Sequence, residues 1–313
     1  MGTGQKILIG CVAIPLVLVV TVVSCGVVVV RRASSPGPAV ANEVLDRKAS
    51  ELAPLTQDEL SSRLISGAGT QPQRLTLDLE EGSFRIVRAA LGEPLAVAGT
   101  YDDSVFAVEM AELPEGEAGS HLLVRFHRTK HAAFSFGSVE SLNMLQVSIP
   151  AQQPLEMSVR MRKGEADLDL TGLPLVSLTI DAAMGETRVS FREPNPETLQ
   201  RLVIRGSMGN FELDGLGHAD VREIDFSGAM GNYTFDFSGT PRGDTASRMK
   251  VKMGNAEIRL PRGVRHTVSR RSARFGNVEA RQATSDEVDP ELGTAPPTID
   301  FDLQASFGNM ELY

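Results

Sequence analysis

From Arg74 onward hydrophobic and polar residues alternate. Leu75, Leu77 and Leu79 are interleaved with Thr76, Asp78 and Glu80, and the pattern resumes at Phe84 and Ile86 after Glu81-Gly82-Ser83. A period of two marks a strand with one buried face. The glycine-centred break predicts a hairpin-like turn. Leu122–Phe126 and Leu145–Ile149 also read as strands, and Phe136-Gly137-Ser138 looks like a variant of a phrase that dominates the rest of the chain. That phrase has seven copies: Lys163-Gly164-Glu165, Met184-Gly185-Glu186, Met208-Gly209-Asn210, Met230-Gly231-Asn232, Met253-Gly254-Asn255, Phe275-Gly276-Asn277 and Phe307-Gly308-Asn309. The glycine spacings are 21, 24, 22, 23, 22 and 32 residues.

A fixed period in this range is a solenoid signature. Each unit reads as an alternating strand, a glycine turn, a second alternating strand and a looser connection, as in Leu202-Val203-Ile204, Gly209, then Phe211 and Leu213. The expected architecture is therefore all-β, a β-solenoid of about 22-residue repeats. The 32-residue interval holds an acidic, Pro-rich stretch, 283–298, expected as an exposed loop. The final copy, Ile299 to Tyr313, is expected to cap the stack.

Glycine takes positive φ without steric cost and Asn is next best, so Gly-Asn is expected to set each corner. Stacked coils place equivalent residues about 4.8 Å apart. Met184, Met208, Met230, Met253, Phe275 and Phe307 are then expected as an inner column of the core, where Met fits irregular gaps. Asn210, Asn232, Asn255, Asn277 and Asn309 are expected as a hydrogen-bonded ladder. Asp167, Asp169, Asp214 and Asp236 fall at outward positions. The units lack the Gly-Gly-x-Gly-x-Asp pattern of a calcium β-roll, so no metal is expected there.

The N-terminus carries a different pattern. Ile7 to Val30 is 24 residues without a charge. As a helix it would span roughly 36 Å against a hydrocarbon core of about 30 Å. This predicts a single-pass transmembrane anchor within residues 1–32. Val22-Val23-Ser24-Cys25 leaves a lipidated Cys25 as a rival reading, and a cleaved secretion signal as another. Lys6 on one side and Arg31-Arg32 on the other leave the orientation open. Residues 33–73 read as a Pro/Ser-rich linker and short helical stalk divided by Pro54. Residues 74–154 read as N-terminal strands and 155–313 as the repeat solenoid.

The net charge of -9 is unevenly spread. Between Arg248 and Arg281 ten Lys/Arg face two acids, about +8, which leaves about -17 for the remainder. Arg248, Lys250 and Lys252 alternate and share a strand face; Arg270, Arg271 and Arg274 are expected one coil later. These six are the candidate binding residues. They form either a solvated face or a patch for anionic polymer or lipid head groups. Few aromatics interleave them, which argues against nucleic acid.

Catalytic signals are sparse. Both cysteines, Cys11 and Cys25, lie in the apolar run, so the repeat region has no thiol nucleophile or Cys-ligated metal site. His127 and His131 are four apart, with no third ligand in reach of a zinc motif. No phosphate loop, nucleophile elbow or dinucleotide fingerprint occurs. The expectation is a protein that is not an enzyme and uses no cofactor. A β-helix polysaccharide hydrolase or lyase is the enzymatic alternative, and it requires paired carboxylates.

The phrases GEADLDLTGLPLVSLTID (164–181), MGNFELDGLGHADVREIDFSG (208–228) and MGNYTFDFSG (230–239), with LTLDLEEGSFRIVRAALGEPLAVAGTYD (75–102) upstream, resemble the toast-rack domain. That β-solenoid module is shared by many bacterial membrane proteins, including the C-terminal domain of LiaF-type regulators of the cell-envelope stress response. The resemblance implies a solenoid at the envelope that binds or scaffolds, and it supplies no catalytic residues. The implied partners are the membrane, another envelope protein, or an anionic polymer or lipid met by an adhesin-like face.

Overall fold

A computed structural model describes residues 55–66, 72–113, 121–129, 143–261, 264–280 and 297–313. The anchor, most of the linker, the Phe136-Gly137-Ser138 copy, His131 and most of the acidic stretch 283–298 lie outside the described residues. Among the described residues no helix is long and apolar enough to cross a membrane.

The described chain is all-β apart from two helices. Helix α1 (Gln57–Ser66) is followed by β1 (Gln73–Arg88), β2 (Ala96–Thr100), β3 (Phe106–Leu113), β4 (His121–Arg128) and β5 (Met144–Ile149). The repeats follow as β6 (Leu155–Asp169), β7 (Leu175–Ser190), β8 (Leu199–Asp214), helix α2 (Leu216–Ala219), β9 (Val221–Asp236), β10 (Thr245–Arg259), β11 (Arg265–Ala280) and β12 (Thr298–Leu312). All belong to one sheet, with β11-β12-β10-β9-β8-β7-β6-β1-β4-β3 as its main path.

Each repeat contributes one bent strand, where two short strands were expected. β7, for example, runs unbroken for 16 residues through its glycine. On its first arm Leu178, Ile180 and Ala182 are buried; on its second, Thr187 and Val189 are, with Phe191 just beyond the strand. The glycine is demanded twice over. Its φ is +126° at Gly185 and +141° at Gly209, a region closed to side chains. A Cβ at Gly209 would also lie 1.8 Å from the Gly185 carbonyl oxygen. The same approach links Gly82, Gly164, Gly185, Gly209, Gly231, Gly254, Gly308 and Gly276 into one ladder, in that spatial order.

Gly82 corrects the first expectation. Glu81-Gly82-Ser83 is no hairpin turn, because β1 passes straight through it and pairs in parallel with β6, Gly82 opposite Gly164. The other side of β1 is shared. β4 pairs with its first arm and β5 with its second, so together they stand where one coil would. β3 and β2 then add in the antiparallel sense.

Helix α1 closes that end. Thr56 and Glu59 form a capping box: the Glu59 carboxylate accepts from the Thr56 N–H at 2.8 Å and Thr56 Oγ1 from the Glu59 N–H at 3.3 Å. Leu60 and Leu64 enter the core. Ser61 Oγ accepts the Leu95 N–H at 2.9 Å and Gln57 Oε1 the Val97 N–H at 3.0 Å. These residues were expected as a stalk, and they are a lid on the stack instead.

The other end also departs from expectation. β12 does not cap the stack; it inserts between β10 and β11. Its inward residues explain this. Ile299, Phe301, Leu303, Ala305, Met310 and Leu312 are all buried and need apolar cover on both sides. On its first arm β11 carries His266, Val268, Arg271 and Ala273 at the matching positions, a more polar set that tolerates an end with no further strand among the described residues.

The corner core is filled by complementary pairs, not by the Met column. Small Gly206 faces Phe211, whose ring would lie 2.7 Å from an added Cβ, and Gly228 faces Tyr233 at 2.4 Å. Where the second residue is small, as at Ala166 or Ala256, the first is Met161 or Val251. Met184, Met208, Met230, Met253, Phe307 and Phe275 stand outside, 43–64% exposed.

Candidate functional site

The six candidate cations occupy an exposed region, but not in the arrangement expected. Arg248 and Lys250 alternate with buried Met249 and Val251 on β10, so they point outward, and Lys252 is exposed beside them. Arg270 and Arg274 continue the outward face on β11. They lie two coils from β10, because β12 intervenes. A shift of register between Val268 and Arg270 turns Arg271 to the inward side, opposite Leu303. There it lines a shallow cleft with Glu279, Glu311 and Tyr313. The structure thus brings five of the six together and separates Arg271.

The inserted strand also changes the charge. Arg248 sits in register between Asp225 and Asp302, with its Nε 3.8 Å from the Asp302 carboxylate. Arg270 adjoins Asp302 on the other side. Lys250, by contrast, has Ser227 and Gln304 as neighbours. Lys252 and Arg274 fall in one register, separated by Ser306, about 10 Å apart. Lys250, Lys252, Arg270 and Arg274 have no ion-pair partner among the described residues. Several cations elsewhere are matched, as in Arg188–Glu212 at 2.7 Å, Arg205–Asp181 at 3.1 Å and Arg74–Glu156 at 2.8 Å.

Beside the corner glycines the Asn ladder forms in part. Asn210 Oδ1 accepts the Asn232 N–H at 3.1 Å, Asn232 Oδ1 accepts from Asn255 Nδ2 at 3.3 Å, and Asn255 Oδ1 accepts the Asn309 N–H at 3.3 Å. Asn277 leaves the ladder and donates to Glu279 at 2.6 Å.

One concave feature went unseen in the sequence. β2 and β5 stand beside the second arms of β1 and β6–β9 and enclose a groove of about 800 Å³. Its wall carries Glu165, Asp167, Glu186, Arg188, Asn210 and Glu212. Only the pairing of β5 with β1 creates it, and that pairing has no local signal. The neighbouring Asp214 has its carboxyl raised above the usual range by burial, and then by the charges of Glu212 and Asp236. Burial pushes the Tyr233 hydroxyl up to about 12, so it stays protonated. His127 lies 3.4 Å from Glu109 and His121 Nε2 is 2.8 Å from Thr76 Oγ1. Among the described residues no group of three potential ligands gathers for a metal.

No curated protein sequence matches the chain. Two similar solved structures are a candidate cell adhesion protein from Clostridium sporogenes ATCC 15579 and a candidate adhesin from Bacteroides fragilis NCTC 9343. The first is 14% identical, with a TM-score of 0.39 over 79% of this chain and 94% of that one. The second is 10% identical, with a TM-score of 0.37 over 78% and 93%. Residues 56–206 match the family described as the N-terminal domain of toast_rack, DUF2154. The match begins at the capping box of α1 and ends on β8, so it takes in the lid, the split coil and the first full repeats. Residues 56–206 thus form an N-terminal toast-rack domain.

Proposed function

We propose that this chain is a non-catalytic binding module of a bacterial cell envelope, tethered by the apolar run Ile7–Val30, whose outward basic face takes an anionic partner. The observation that carries this reading is the group Lys250, Lys252, Arg270 and Arg274, exposed on one face and forming no ion pair among the described residues, on a chain of net charge -9. Such a patch attracts polyanions over a range of about one Debye length, roughly 8–10 Å at physiological salt. A scaffolding or sensing role at the envelope follows from a tethered binding face without catalytic groups, and the toast-rack domain supports it.

The test uses full-chain protein in detergent micelles with a linear polyphosphate and an acidic polysaccharide as probes. Lys250→Glu, Lys252→Glu and Arg274→Glu combined should weaken binding about ten-fold or more and flatten its salt dependence. Arg201→Glu, on an outward position of β8, should leave both unchanged. Equal binding by the triple variant and the parent would overturn the reading.

A further inference from the structure

Six coils place an apolar side chain at the exposed corner position just before the glycine. Met184, Met208, Met230, Met253, Phe307 and Phe275 follow one another in register from β7 to β11. At about 4.8 Å per coil the ridge is roughly 24 Å long. With about half of each side chain uncovered, it presents on the order of 500 Å² of apolar surface, at the upper end for a monomer.

The corner itself does not need these residues. Lys163 holds the same position on β6 and Glu81 on β1, and the glycine geometry there is unchanged. The apolar choice therefore answers to something outside the coil. The ridge is convex, because it is the outer edge of a bend. A rigid partner would need a matching trough, whereas a lipid interface deforms around it.

The chemistry beside the ridge points the same way. At its β10–β12–β11 end Lys252 precedes Met253 and Arg274 precedes Phe275, so cations border the apolar edge on one side. The neutral Asn255, Asn309 and Asn277 border it on the other. Phe275 and Phe307 stack at 5.0 Å, nearly parallel at 14°, forming an aromatic tip. Aromatic and thioether side chains beside cations are the composition of a surface that rests in the head-group region of an anionic membrane.

We propose that Met253, Phe307 and Phe275 insert into an anionic lipid surface, with Lys252 and Arg274 against the lipid phosphates. This rests on the anionic-partner reading above and assigns that partner to a bilayer rather than a free polymer.

The chain has no Trp. Phe275→Trp therefore introduces a single reporter at the tip, and Leu91→Trp a control at a residue 95% exposed in the turn after β1. Both full-chain variants are reconstituted into vesicles of phosphatidylcholine, with or without phosphatidylglycerol, containing dibrominated lipid as quencher. The Trp at 275 should shift to the blue and be quenched about two-fold in anionic vesicles. It should be quenched less in neutral ones, and the difference should vanish with Lys252→Glu and Arg274→Glu. The Trp at 91 should not respond. No quenching at 275, or quenching indifferent to lipid charge, overturns the proposal. So does a blue shift that appears in detergent and grows with protein concentration, which would assign the ridge to a second copy. Loss of polymer binding on charge reversal, with the reporter at 275 unquenched, would sink this inference and leave the proposed function standing.

Discussion

At one end of the stack β3 and β2 turn antiparallel and helix α1 lies across them, with Leu60 and Leu64 buried; at the other, β11 presents exposed residues continuously from Ser269 to Asn277. The charges differ in the same sense. Near the covered end Glu81 meets Lys163 at 3.1 Å and Arg128 at 3.0 Å, and Arg128 lies 5.0 Å over the Phe106 ring. Near the other end four cations form no ion pair among the described residues. A sheet can be finished by covering its last strand or by charging it, and charge deters pairing with another edge. This molecule uses one device at each end. The covered end is a part of the fold, and the charged end is left exposed.

The contrast can be broken at the glycine ladder first. Gly164→Ala, in the second coil, puts a Cβ 1.9 Å from the Gly82 carbonyl oxygen with coils packed on both sides. A loss on the order of 4 kcal/mol is expected. Gly276→Ala meets Gly308 at the same 1.9 Å, but among the described residues no strand pairs with the other side of β11, toward which it can shift. Its loss should be about half as large, and equal losses in denaturant melts would mean that the open end is as rigid as the covered one.

Side-chain deletion is a milder probe. Leu60→Ala should cost about 2–5 kcal/mol, as a cavity beneath the lid. Phe275→Ser should change stability by no more than about 0.5 kcal/mol. If urea midpoints move together, α1 is not the closure described above.

The smallest effect is electrostatic. Burial opposes the charge on Glu81, but Lys163 and Arg128 outweigh it and hold the carboxyl below its ordinary 4.5. A lowered carboxyl adds stability above its unfolded value and loses it as pH falls through the folded one. Glu81→Gln should therefore cost about 0.5–1 kcal/mol at neutral pH, and the deficit should fade in acid below the usual carboxylate range. Lys252→Gln should show no deficit at either pH by thermal melting.

Much of the fold was legible because its constraints are local. Alternation marked the arms, and the glycine period marked the coils. The Met/Phe column was misplaced through an assumption of unbroken alternation: Met184 shares its parity with Ile180 and Ala182, so strict period two puts it inside. The second arm reverses parity, with Thr187, Val189 and Phe191 inward, and four outward residues at the corner absorb the change. That reversal was readable in advance. The insertion of β12 was harder to read, because its signal is comparative: the inward positions of β12 are apolar where β11 carries His266, Arg271 and Ala273. The basic face was found by composition, but its real extent depended on that insertion, which set Asp302 beside Arg248 and Arg270 and left Lys250, Lys252 and Arg274 free of acids.

The place of β12 has a consequence for how the chain is made. β11 leaves the ribosome before β12, yet it rests on β12 in the finished stack. At about 5–20 residues per second, the coil of β11 waits for the fifteen residues of β12 to appear before it has a bed to lie on. Until then the growing face is β10, with Met249, Val251 and Ile258 lacking their cover from above. Completion of the stack therefore waits on β12. A chain cut short before Thr298 would lose not its final ornament but the layer that joins its basic edge to the rest.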